Sequence, residues 1–273
     1  YWVPALLRPD GNGGYAVIYP EDTYVLDENG VPLRDENGHP VGNANNGPDV
    51  YYKHAAAPDP SVIQPYPRGL RMIAGTASAT PENPADSGAL WACHEENGEW
   101  RLHIPSCRPN PDPGGAPYHL HLQIRFPQCW DGVNLDSPDH KSHMAQPVYR
   151  TGEPTECPPS HPVWLPEVSY QLYFPITAEN VGSAGDTSEW FLASDSYVNG
   201  PGSPGGHSAH GDWYMSWNEE VMATFVRYCI NERRHCANGE LGNGFALSGT
   251  LPGVGNSAGL EVINRGRGEH AAH

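Results

Sequence analysis

The 273-residue chain is poor in positive charge: 15 Lys and Arg stand against 32 Asp and Glu, a formal net charge of −17 at pH 7 with its 14 His neutral. That balance excludes nucleic acid as a partner, because phosphate backbones are gripped by clustered Lys and Arg that release counterions. Anionic membrane surfaces are disfavoured for the same reason. No apolar run approaches the ~18 residues of a membrane-spanning helix, and no basic-then-apolar opening segment resembles a signal peptide. The chain opens on Tyr1 rather than Met, which predicts the removal of a leader or upstream segment. No two cysteines are spaced C-x-x-C, so a zinc ribbon and a thioredoxin-type redox site lose their support. There is no N-x-S/T sequon, no P-loop and no H-E-x-x-H helix.

What the chain has in quantity is turn formers and aromatics. Its 31 Gly and 29 Pro approach the level at which low-complexity disorder is suspected, but 8 Trp and 14 Tyr need an interior to pack in. The length is ample for one hydrophobic core. Six cysteines (Cys93, Cys107, Cys129, Cys157, Cys229, Cys236) in a Trp-rich, Lys-poor chain predict disulfides and an oxidising, extracellular setting. Many pairings are formally open; proximity favours Cys93 with Cys107, Cys129 with Cys157, and Cys229 with Cys236.

Short strand-like runs bounded by Gly, Pro, Asn or Asp dominate: 15–19, 50–53, 70–74, 90–93, 119–126 and 168–174. A near-repeat of Asp-Glu-Asn-Gly between Leu26 and Gly42 predicts successive tight turns. A calcium loop there fails the EF-hand pattern, since its six-residue frames begin at Val25 and Leu33 where a carboxylate is needed. One helix is predicted over 218–235: Asn218 is the N-cap, Glu219 and Glu220 suit the positive end of the dipole, and Val221, Met222, Phe225, Val226, Cys229 and Ile230 form an apolar stripe. The expected fold is mainly β, a sandwich- or jelly-roll-like single domain over residues 1–264 with long loops, this helix and disulfide staples, and a frayed tail at 265–273.

Two segments carry candidate chemistry. The run 119–126 alternates strictly, placing His119, His121, Gln123 and Arg125 on one strand face and Leu120, Leu122, Ile124 and Phe126 on the other. His119 and His121 at i, i+2 have the spacing of metal ligands, for Zn or Ca; the alternative is a solvated or groove-lining polar face, with His103 as a candidate neighbour. The denser segment is 129–143, where Asp131, Asp136, Asp139, His140, Lys141 and His143 crowd a turn-rich loop beside Trp130. They suit acid–base work, or else they cap turns and fill polar holes. His210 and Asp212 are expected to join this cluster, with Trp213 and Trp217 as a stacking wall for a sugar.

These residues also carry a resemblance. Gln64 to Gly75, Phe126 to Gly132, Leu135 to Ala145, Cys157-Pro158 with His161-Pro162, and His210-Gly211-Asp212-Trp213 with Trp217 occur in this order, after an opening Tyr1-Trp2-Val3-Pro4-Ala5-Leu6. Together they resemble the secreted fungal and bacterial family catalogued as domain of unknown function 1996. That resemblance implies secretion and a disulfide-bearing β-rich domain. Because fungal relatives are often joined to carbohydrate-binding WSC modules, it also implies a polysaccharide or cell-wall glycan as partner. Asp131, Asp136, Asp139, His140, His143, His210 and Asp212 sit on motif positions, whereas His119 and His121 fall where the family varies. The family's upstream S-H-x-H-like block is not in this chain.

The leading expectation is a secreted polysaccharide hydrolase. Asp139 and Asp212 are its carboxylate pair, assisted by Asp136, His140, His143 and His210, with Trp130, Trp213, Trp217 and Lys141 binding substrate. The alternatives are a non-catalytic glycan-binding or self-assembling extracellular module, and a metal-dependent enzyme at a His/Asp cluster.

Overall fold

The computed structural model describes residues 1–20, 48–54, 56–96, 98–112, 114–151, 155–196, 203–236, 239–248 and 261–264. The near-repeat between Leu26 and Gly42 and the tail at 265–273 lie outside them. The strands in chain order are β1 (Leu6–Pro9), β2 (Tyr15–Ile18), β3 (Asp49–Lys53), β4 (Arg71–Gly75), β5 (Ala89–Cys93), β6 (Tyr118–Arg125) and β7 (Cys129–Trp130). They continue as β8 (Met144–Ala145), β9 (Val163–Trp164), β10 (Glu167–Ile176), β11 (Phe191–Leu192), β12 (His210–Tyr214), β13 (Phe245–Ser248) and β14 (Glu261–Asn264), with α1 (Glu219–Phe225) between β12 and β13. They hydrogen-bond into small sheets ordered β11-β1-β2, β3-β10-β6-β5, β12-β4, β13-β14 and β8-β7-β9. The protein is thus mainly β, and all three disulfides follow the proximity pairing: Cys93–Cys107, Cys129–Cys157 and Cys229–Cys236. No helix among the described residues is long and apolar enough to cross a membrane.

The chain gathers into two compact units, each assembled from three stretches. The first comprises Tyr1–Tyr51, Ile73–Phe126 and Ser169–Trp213. Its main sheet is built on antiparallel pairing of β6 with β10 (Leu122 opposite Leu172, Gln123 opposite Gln171) and of β6 with β5 (Leu122 opposite Trp91). Period-two alternation sends Trp91, Leu120, Leu122, Ile124, Tyr170, Leu172 and Phe174 to one face, and all are buried. Burial of such side chains is worth roughly 1.5–3 kcal/mol each. Gly206, at φ +87°, turns the chain where a Cβ would lie 2.6 Å from Ile104, and its carbonyl accepts the buried Trp91 indole N–H at 3.0 Å.

The second unit comprises Tyr52–Met72, Pro127–Val168 and Tyr214–His273. Its three-stranded sheet pairs Cys129 with Ala145 and with Trp164, and the Cys129–Cys157 bridge fastens it. Asn218 caps α1 as expected, its Oδ1 accepting from the Glu220 and Val221 amides. The helical stretch is shorter than predicted. After α1 it widens over Val226–Ile230, Asn231 N–H donates to Val226 O, Arg233 turns left-handed at φ 53°, and Cys229–Cys236 draws the chain back. Arg234 therefore lies beyond the helix, where it donates to Gly242 O.

Candidate functional site

The Asp131–His143 loop belongs to the second unit, and its carboxylates are turned inward on their own backbone. Asp131 Oδ1 accepts from the Val133 and Asn134 amides at 2.8 and 2.9 Å, and its Oδ2 accepts from the Asn134 side-chain amide. Asp139 Oδ1 accepts from Ser142 N–H, Ser137 Oγ–H, Lys141 N–H and Ser142 Oγ–H, all within 3.1 Å. Those bonds, led by the Ser142 amide, hold its carboxyl well below the usual carboxylate range. Asp136 is lowered too, chiefly because His140 Nδ1–H donates to it at 2.6 Å, with the Ser137 amide and the Arg71 guanidinium adding to the effect. Burial pushes Asp131 up, but hydrogen bonds from Val133 and Asn134 outweigh it, so it too is lowered. A general acid needs its pKa raised toward the working pH, and these three are held the other way.

His143 is buried at 2% exposure; its Nε2–H donates to Arg71 O at 2.6 Å, and its Nδ1 lies 2.7 Å from Ser137 Oγ. A serine within reach of a histidine that is itself oriented by a third group has the outline of a nucleophile and its base. Asp139 competes for the same hydroxyl proton, and an anion is the stronger acceptor. His161 closes the loop by bonding Ser142 O, and Trp130 donates its indole N–H to Asn134 O. Lys141 and Trp130 remain half-exposed, as does Trp217, whose ring meets Tyr52 edge-on at 5.7 Å.

His210 and Asp212 fall in the first unit, on β12. The expected carboxylate pair, Asp139 with Asp212, is thus divided between the two units. Trp213 is a core residue, 2% exposed, so it presents no face for a sugar to stack on. His210 Nδ1–H donates to Ser208 O at 2.7 Å.

The other polar concentration lies on the first unit's main sheet, on the face opposite its core. His121 and Gln171 form the floor, 6% and 7% exposed. Gln171 Oε1 accepts from Gln123 Nε2–H at 3.2 Å and lies 2.6 Å from His121 Nε2, which is therefore the protonated nitrogen of that ring. Tyr173 stacks on His121 at 4.3 Å between centroids, Trp100 meets it at 5.1 Å and His94 at 5.6 Å. Trp100 is 45% exposed and His94 is exposed, so an open aromatic rim surrounds a buried floor.

Burial lowers the His121 pKa and keeps the ring neutral at neutral pH. Burial likewise raises Tyr173, with Tyr51, Asp49 and Glu95 adding to it. His119 stands at the edge, its backbone and Nδ1 N–H groups both donating to Glu95 at 2.6 Å. Burial would raise Glu95, but those bonds outweigh it and it stays ionised.

Both expected metal ligands have protein partners: Glu95 for His119, Gln171 for His121. Among the described residues, no group of three or more His, Cys, Asp or Glu is arranged to hold a metal ion. His103 is not a neighbour of His121; its ring lies 5.2 Å from that of His207, and burial lowers both pKa values. Gln171 and Tyr173 went unsingled, although Ser169, Gln171 and Tyr173 alternate with Tyr170, Leu172 and Phe174 in the same period-two way. Nothing local announces Trp100. It reaches the sheet because Cys93–Cys107 closes its loop and Arg101 exchanges two 2.8 Å backbone bonds with Trp91.

No curated protein and no solved structure matches the chain. The profile of the family described as Domain of unknown function (DUF1996) matches residues 1–217. The motif blocks noted in the sequence and this match over most of its length agree: the chain belongs to the family catalogued as domain of unknown function 1996.

Proposed function

We propose that the protein is a secreted, non-catalytic glycan-binding module, and that the ligand lies across the His94, Trp100, His121, Gln123, Gln171 and Tyr173 face. The observation that carries the reading is the pairing of a neutral amide and imidazole floor with an exposed Trp100 rim. Sugar rings present an apolar C–H face and a belt of hydroxyls. An exposed indole stacks on the first, while uncharged side chains that both donate and accept serve the second. The three disulfides fit an oxidising, extracellular setting.

A polysaccharide hydrolase is the second reading, and one contact favours it, Ser137 Oγ at 2.7 Å from His143 Nδ1. Incubation with insoluble glucans, chitin and plant cell-wall polysaccharides, read for bound protein and for released reducing ends, separates the two. Retention without product is the expected outcome. Release of reducing ends that Ser137→Ala abolishes would replace the binding reading with the hydrolytic one.

A further inference from the structure

A further aromatic and acidic cluster lies at Trp2 in the first unit. Trp2 and Asp212 are directly opposed in an antiparallel bridge, Trp2 N–H donating to Asp212 O at 3.1 Å and Asp212 N–H to Trp2 O at 2.9 Å. Residues opposed in such a pair point their side chains to the same side, with Cβ atoms ~4.5–5.5 Å apart. His210, two residues before Asp212, shares that side, and its ring lies 5.3 Å from the indole of Trp2. Trp2 is 53% exposed, and the half-buried Asp212 carboxylate takes no hydrogen bond or ion pair from the described residues. His210 Nδ1–H is directed to Ser208 O, which leaves Nε2 as the ring nitrogen that can accept from a ligand. Trp2 also lines a cleft of about 490 Å³, together with Val17, Tyr19, Leu172 and Phe174.

An exposed indole face beside a carboxylate is a cation site. The ring quadrupole and the anion both attract an ammonium, and an acceptor nitrogen nearby completes its hydrogen bonding. The molecule's −17 charge concentrates cations around it. We infer that Trp2, His210 and Asp212 form a subsite for a primary ammonium group, carried by an amino-sugar polymer whose next ring lies in the adjoining cleft. The choice of a sugar as carrier rests on the glycan reading above; the ammonium chemistry stands on this geometry alone.

Titration calorimetry of the full chain with glucosamine tetramer, N-acetylglucosamine tetramer and spermidine tests it. Glucosamine tetramer is expected to bind at least tenfold more tightly than the N-acetylated one, which lacks the charge, and to weaken as salt is raised. Asp212→Asn keeps the backbone bridge and should remove that preference, and Trp2→Ala should weaken the charged tetramer alone. Spermidine binding weaker than the tetramer supports a sugar carrier, and equal or tighter spermidine binding overturns it. Equal affinity for the two tetramers in the unmutated protein overturns the ammonium site without any variant. If neutral glycans are retained while that preference is missing, this inference fails and the proposed function stands. If no glycan is retained, the proposed function fails.

Discussion

The Asp131–His143 loop and the polar face of β5, β6 and β10 are built from similar side chains that are held in opposite ways. In the loop, each carboxylate accepts hydrogen bonds from residues within four positions of itself, so its lone pairs serve to fix turns. On the sheet, His121, Gln123 and Gln171 meet across strands 48 to 50 positions apart, and the strands are already fixed by the apolar face beneath. Polar groups needed to shape the backbone are poor candidates for chemistry on a ligand. Groups positioned by a scaffold that stands without them keep capacity for a ligand.

The largest effect that separates the two regions comes from their disulfides. Replacing Cys93 and Cys107 by Ser should cost about 3 kcal/mol and also release the Trp100 loop, so glycan retention falls. Replacing Cys129 and Cys157 should cost a similar amount while leaving retention intact in whatever protein remains folded. Chemical denaturation alongside retention assays checks both. Next, Gln171→Ala leaves the buried His121 N–H without its acceptor, for a loss of roughly 1–3 kcal/mol in the same measurement.

Acid should act on the two units in separate windows. The His103, His121 and His207 pKa values are lowered by burial, so the unfolded chain takes up protons first. Their contribution is complete above about pH 6.5 and is lost as pH falls through the folded values. Asp131, Asp136 and Asp139 are depressed carboxylates, so theirs is complete above about pH 4 and is lost only below it. Thermal melts from pH 8 to 3 should therefore fall in two stages, and His121→Gln should flatten the upper one. A melting temperature unchanged between pH 7 and 5 would contradict the first assignment. The smallest effect is expected of Ser137→Ala, which lowers the melting temperature by a few degrees and leaves glycan retention unchanged.

Much of this was legible from period and spacing. Strict alternation in 119–126 marked both faces of β6, and the nearest-neighbour pairing of cysteines held because each bridge closes a local loop of 7 to 28 residues. The helix start was legible because a cap is a local device; its end was not, because a disulfide and a left-handed Arg233 set it. Asp139 looked catalytic because a carboxylate that caps a turn and one that moves a proton have the same sequence surroundings. The four bonds it accepts are what favour the turn-capping role. Trp100 and Trp2 were hidden for the opposite reason, since each acquires its neighbours from strands distant in the chain.

The most direct test sets Trp100→Ala beside Asp139→Asn on the same insoluble glycans, with melting temperatures recorded for both. Trp100→Ala is expected to lose about tenfold or more in retention with little change in melting, and Asp139→Asn to melt lower but bind as before. Full retention by Trp100→Ala, together with a loss in Asp139→Asn that its lower melting does not explain, would return the functional site to the loop.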